Sequence, residues 1–176
     1  MKVINLFAGP GAGKSTTAAG LFHLMKIAGM NVELVTEYAK EMTREKRHNI
    51  LTDELYIFAK QHRRIRRLLG EVDYVVTDSP ILLCILYRKD DDYSETLDRL
   101  ILELWNSYQN LNFFLRRTKP YSAVGRSQSE DEARSIDQAT LALLERLEVP
   151  YQEVVGDDGA SAQILQKVKE LALLTS

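Results

Sequence analysis

At 176 residues, 45% apolar and 27% charged, the chain carries enough nonpolar side chains for one globular domain with its own core, which excludes a disordered or fibrous polypeptide. A formal net charge of −2 exerts no overall pull toward a polyanion, so any charged partner has to be read from local asymmetry. The single cysteine, Cys84, excludes an intrachain disulfide framework and a thiolate metal site, as expected of a reducing compartment.

The apolar run at the start, Met1 to Ala8, is far shorter than a signal h-region or a membrane span, which predicts a cytoplasmic protein without a membrane partner. It reads as a first strand, Val3 to Phe7, followed by a helix from Lys14 to Ala28 that stops at Gly29. Val32 to Val35 makes a second strand. Leu55, Phe58, Ile65 and Leu69 mark one face of a helix ending at Gly70, and Tyr74 to Thr77 is a third strand. Cys84, inside the run Ile81 to Leu86, is a small buried hydrophobe rather than a nucleophile. Leu97, Leu100, Ile101, Leu104, Trp105 and Tyr108 recur at helical spacing, then Asn112 to Leu115 supplies a fourth strand. Ser129 with Glu132 three residues on forms a capping box, which starts a helix toward Leu147 that buries Ala133, Ile136, Leu143 and Leu144. Tyr151 to Val155 and a helix from about Ser161 to Leu174 close the chain. Strands without polar alternation, separated by helices, predict a single α/β domain over 1–176 with a parallel sheet.

The segment Ala8-Gly9-Pro10-Gly11-Ala12-Gly13-Lys14-Ser15-Thr16 lies where the first strand ends and the first helix begins. In that context it is a Walker A sequence, with Ala8 in place of the first glycine of the strict pattern. Its glycines let backbone amides converge on phosphate oxygens at a helix N-terminus. Lys14 reaches the β and γ phosphates and the Ser15 hydroxyl can hold Mg²⁺. ATP or GTP binding follows.

Two acidic residues stand at strand ends. Asp78 follows Tyr74 to Thr77, at the carboxyl edge where open α/β sheets bind ligands, and can orient Mg²⁺ directly or through water; Asp78-Ser79-Pro80 also fits a plain turn. Glu37 holds the equivalent place after the second strand and can position or deprotonate an attacking hydroxyl, although a glutamate opening a helix is favourable for dipole reasons alone. Arg116, Arg117, Lys119 and Arg126 fall between the fourth strand and the capped helix, where a lid would hang over a nucleotide. Arg126 is then a lid arginine that brings charge to the transferring group on closure; a solvated basic loop is the alternative.

The Walker A segment, the Asp78 strand end, and Arg117-x-Lys119-Pro120-Tyr121 followed by Gly125-Arg126 and Glu130-x-Glu132-Ala133 together resemble the small P-loop kinases of the nucleoside and nucleotide kinase group. Within it they resemble a branch common in bacteriophages and often labelled AAA-like ATPases. The resemblance implies a P-loop NTPase fold with a parallel sheet of order 2-3-1-4-5, a lid over about 117–135, and ATP with Mg²⁺ as donor. It places Arg117 and Arg126 against the phosphates and the Gly156-Asp157-Asp158 turn near the adenine. It implies transfer of the γ-phosphate to a hydroxyl of a nucleotide or DNA acceptor, in its sharpest form the hydroxymethyl group of 5-hydroxymethyluracil in DNA. A nucleoside or monophosphate acceptor and an ATP-hydrolysing switch are the alternatives. No arginine-finger or sensor motif of AAA motors stands in the sequence.

Between Lys40 and Arg67 the chain carries Lys40, Arg44, Lys46, Arg47, Lys60, Arg63, Arg64, Arg66 and Arg67 against Glu41, Glu45, Asp53 and Glu54. A cationic platform there suits a phosphorylated or polymeric acceptor, and a charged outer helix face is the plainer reading. Tyr38, Tyr56 and Tyr121 can stack on a base or fill the core. His23, His48 and His62 show no metal-ligand pairing.

Overall fold

The computed structural model describes residues 1–88, 95–118 and 129–173. In chain order these form β1 (Lys2–Phe7), α1 (Lys14–Ile27), β2 (Val32–Val35), α2 (Tyr38–Arg44), α3 (Glu54–Arg66), β3 (Tyr74–Thr77), α4 (Cys84–Tyr87), α5 (Glu95–Asn106), β4 (Gln109–Arg116), α6 (Glu130–Arg146), β5 (Gln152–Val155) and α7 (Ala160–Leu173). Single 3₁₀ turns at Ile50–Thr52 and Ile81–Leu83 lead into α3 and α4.

All five strands are parallel, in the order β2-β3-β1-β4-β5 expected of the P-loop NTPase fold. Val35 lies opposite Thr77, and Arg116 opposite Val155, so the strands end together. The residues that follow those ends, Ala8, Glu37, Asp78, Arg117 and Gly156, therefore gather at one edge of the sheet.

The side-chain period of two divides β1 between two cores. Val3 and Phe7 face Phe58, Ile65, Trp105 and Leu144, whereas Ile4 and Leu6 face Leu21, Met25, Ile164 and Val168. Asn5 shares the face of Val3 and Phe7 and is fully buried. Its Nδ2 donates to the Val3 carbonyl at 3.1 Å and to Oδ1 of Asn110 and Asn112 at 3.0 and 3.1 Å, which binds β1 to β4 by side chains as well as backbone.

The buried stripe of α3 is Glu54, Ile57, Phe58, Gln61 and Ile65, which keeps Phe58 and Ile65 of the predicted face but not its two leucines. Leu55 is one position off that stripe, Leu69 lies beyond the helix end, and both are exposed. Leu100 is exposed for the same reason, because α5 buries Leu97, Ile101 and Trp105. In α6, Thr140 takes the fully buried place expected of Ile136, which is only partly covered. The capping box is present: Glu132 N–H donates to Ser129 Oγ at 3.2 Å and Ser129 N–H to the Glu132 carboxylate at 2.6 Å. His62 stacks on Phe58 and shares a 3.0 Å hydrogen bond with the Tyr108 hydroxyl, a packing role. Among the described residues, no helix is long and apolar enough to cross a membrane.

Candidate active site

The loop from Ala8 to Gly13 turns β1 into α1 through two left-handed glycines, Gly11 at φ 79° and Gly13 at φ 97°, values that any side chain would strain. Gly13 is the N-cap of α1 and offers no side chain, so the amides of Lys14, Ser15 and Thr16 have no partner within the helix; Thr17 N–H is the first to close, on the Gly13 carbonyl at 2.9 Å. Three free amides at a helix N-terminus form an anion cradle. Ser15 and Thr16 are exposed on that turn, while Ala8 and Ala12 are buried beneath it.

Lys14 crosses the loop and donates from Nζ to the Ala8 carbonyl at 2.6 Å and the Gly9 carbonyl at 3.0 Å. Burial pulls its pKa down, against the charges of Glu37, Asp78 and Asp137, which push it up; Arg117 adds to the lowering. The charges of all four side chains act on the ammonium. Asp78 is 2% exposed, and its Oδ1 has no hydrogen-bond partner. A buried carboxylate oxygen left unsatisfied is costly unless a cation meets it. With the Ser15 hydroxyl it offers hard oxygen donors of the kind Mg²⁺ takes, the remaining positions going to water and phosphate, so the residues fit the ion.

Glu37 is the N-cap of α2, yet its carboxylate makes no cap hydrogen bond. Burial is the chief cause that raises its pKa, and Asp78 adds to the rise; Lys14 and Lys40 oppose it. Lys40, on the first turn of α2, donates to Ser15 Oγ at 3.1 Å and brings a second ammonium to the loop.

Arg117 comes directly from the end of β4 and is only 5% exposed. Its Nε donates to Asp137 Oδ2 at 3.0 Å and one terminal nitrogen to the Pro10 carbonyl at 2.8 Å; the other terminal nitrogen, Nη1, is buried without a partner. Asp137, on α6, also accepts the Gly9 amide on Oδ1 at 2.5 Å. A side chain at Gly9 would collide with the α6 backbone at Ala133, so this glycine permits the approach of α6, and its amide is committed to Asp137.

Sequence reading missed Asp137, although a signal exists: it sits between Ala133 and Thr140 on the buried stripe of α6, an unexpected place for a carboxylate. It also missed Lys40 as a loop contact and Gln61. Arg126, with Lys119, Pro120, Tyr121 and Gly125, lies outside the described residues. Gly156 N–H donates to the Arg116 carbonyl at 2.8 Å, and a side chain there would press on the Arg116 and Ala12 carbonyls, so the turn after β5 rests on the loop. Asp157 Oδ1 accepts Gly159 N–H at 2.8 Å, which shapes that turn into α7.

On the α2 and α3 side, Tyr38 is buried and meets Tyr56 edge-on at 6.0 Å, so it is core rather than a free stacking platform. Tyr56 is exposed, with Lys60 Nζ 5.1 Å from its ring centre. Of the basic stretch, Arg64 pairs with Glu41 and Arg47 with Glu45; Lys60, Arg63 and Arg67 are exposed along one side of α3.

Residues 3–160 match the family described as AAA domain. The chain belongs to that family. A comparison with curated proteins gives no match. Among solved structures, this AAA domain shares its fold with deoxyadenosine kinase from M. mycoides with bound dATP, at 16% identity and a TM-score of 0.60 over 98% of this chain and 100% of that one. It also shares it with NadR protein in complex with NR, at 18% identity and a TM-score of 0.74 over 96% of this chain and 51% of that one, and with NadR in complex with NAD and AMP-PNP, at 18% and 0.71 over 96% and 49%. This AAA domain thus spans about half the length of NadR.

Proposed function

We propose that the protein is a kinase that transfers the γ-phosphate of ATP to an acceptor hydroxyl. One observation carries the reading: two buried polar atoms without partners, Asp78 Oδ1 and Arg117 Nη1, belong to side chains whose charges act on Lys14 at the head of α1. An unpaired anion and an unpaired cation donor beside a phosphate cradle suit a metal-bound polyphosphate. Ser15 and Asp78 would hold Mg²⁺, which would neutralise charge on the phosphate oxygens. Lys14, Arg117 and the α1 amides hold the phosphates, and Gly156 with Asp157 borders the adenine. Arg126, outside the described residues, is assigned as a further guanidinium for the transferring phosphoryl group.

In the transfer, the Glu37 carboxylate takes the proton of the acceptor hydroxyl as its oxygen bonds to the γ-phosphorus. The bond from that phosphorus to the β–γ bridging oxygen breaks, and ADP leaves with the electron pair.

For the acceptor, the exposed line Lys60, Arg63 and Arg67 beside Tyr56 supports a polyanion with accessible bases. The sharpest form is the hydroxymethyl group of 5-hydroxymethyluracil in DNA. The fold shared with deoxyadenosine kinase supports the second reading, a nucleoside or monophosphate acceptor. An ATP-hydrolysing switch is the third. Labelled ATP offered with DNA containing 5-hydroxymethyluracil, plain DNA, nucleosides and monophosphates separates them. Label on the modified DNA alone supports the first; label only on small acceptors rejects it; sustained phosphate release with no labelled product rejects both kinase readings.

A further inference from the structure

Glu37 begins α2 with extended backbone angles, φ −64° and ψ 122°. A carboxylate at the head of a helix is drawn toward the free amides of the first turn, and Glu37 nonetheless leaves them alone. The capping work is done from α3. Gln61, 2% exposed, accepts the Tyr38 N–H on Oε1 at 3.0 Å and donates from Nε2 to the Thr36 carbonyl at 3.4 Å. One side chain therefore brackets Glu37 through the residues on either side of it. Arg64, one turn further along α3, donates to the same Thr36 carbonyl at 3.1 Å, chelates Glu41 and lays its guanidinium 5.1 Å from the Tyr38 ring centre.

We propose that Gln61 is a positioning residue: by holding the Tyr38 amide and the Thr36 carbonyl together, it fixes the turn that carries Glu37 and keeps that carboxylate free for the phosphate loop. The proposal rests on the reading of Glu37 as the base. Only a primary amide offers an acceptor and a donor side by side at this size. Glutamate keeps the bond from Tyr38 and loses the one to Thr36, and methionine keeps neither while filling the same space.

The test is a double-mutant cycle on the full chain, read as ADP formation from ATP and Mg²⁺ with water as acceptor. Glu37→Gln, Gln61→Met and the double variant are compared with the parent protein for kcat and for KM of ATP. Gln61→Met is expected to lower kcat on the order of 10²-fold, the effect of a misplaced catalytic group, with KM for ATP unchanged within about twofold. The double variant is expected to be no slower than Glu37→Gln, because both changes remove the same function. Losses that multiply, a KM that rises in step with the fall in kcat, or an unchanged kcat in Gln61→Met would overturn the proposal and leave the kinase reading standing. Parent-like turnover in Glu37→Gln is a separate outcome: it rejects Glu37 as the base and the positioning role with it. Should Gln61→Met not fold, Gln61→Glu is run through the same cycle under the same criteria.

Discussion

Arg117 and Asp137, twenty residues apart in sequence, form a largely buried ion pair at 3.0 Å that ties the end of β4 to α6 above the phosphate loop. The other Asp137 oxygen holds the Gly9 amide, so one carboxylate joins three segments of the site. Removing one partner of a buried pair leaves an uncompensated charge, and Asp137→Ala is expected to cost about 3 kcal/mol of stability. Asp137→Asn keeps an acceptor for Gly9 and removes the charge that aims Arg117; it is expected to fold and to lose turnover on the order of 10²-fold. Urea denaturation and steady-state kinetics on the two variants check this. Full activity in Asp137→Asn would show that Arg117 needs no such anchor.

Lys14→Ala is expected to abolish nucleotide-supported turnover, because Lys14 is the ammonium at the centre of the cradle. Arg126→Ala separates ground-state binding from rate. If Arg126 acts on the transferring phosphoryl group, kcat falls by about 10³-fold, the scale of a catalytic arginine in phosphoryl transfer, while the affinity for a nonhydrolysable ATP analogue holds. Calorimetric titration beside kinetics gives both quantities, and equal losses in each would assign Arg126 to ground-state binding.

Local pattern carried most of the fold. Four predicted strands agree with the structure within a residue, because each is a short stretch carrying β-branched or aromatic residues between stretches of helical period. β4 begins three residues earlier than predicted because Gln109 and Asn110 are polar, and Asn110 is accommodated by hydrogen bonds to the Trp105 carbonyl and to Asn5. α2, at seven residues, is too short to show a period. The phosphate loop was legible because its chemistry is contiguous. Asp137 and Gln61 were not, since their partners lie 128 and 23 residues away and only the packing of α6 and α3 brings them together.

Taken as the base proposed above, Glu37 sets the pH dependence expected of the transfer step. Burial raises its pKa above the ordinary carboxylate value, so the acid limb of kcat is expected above the usual carboxyl range, with the rate rising as pH increases through it. Lys40 pulls that pKa down, and Lys40→Met is therefore expected to move the limb further up. A pH profile of kcat for the parent, Lys40→Met and Glu37→Gln checks the sign. A limb that stays in place in Lys40→Met, or persists in Glu37→Gln, would assign the titration to another group.

Glu54 gives a stability prediction independent of nucleotide. It is buried at the start of α3, and burial pushes its pKa from 4.5 up to about 7, with a hydrogen bond to Cys84 partly opposing the rise. The folded protein therefore holds this proton more tightly than the unfolded chain does. Stability from the protonated form is complete below pH 4.5 and is lost as pH rises toward 7. At ~1.4 kcal/mol per unit, that loss is roughly 3 kcal/mol at its largest. Glu54→Gln, neutral at every pH, is expected to match the parent in acid and to exceed it by about that amount in mild alkali. Urea denaturation of both proteins at pH values on either side of that interval decides the matter. A stability difference that does not change with pH would mean that folding leaves the Glu54 pKa where it is in the unfolded chain.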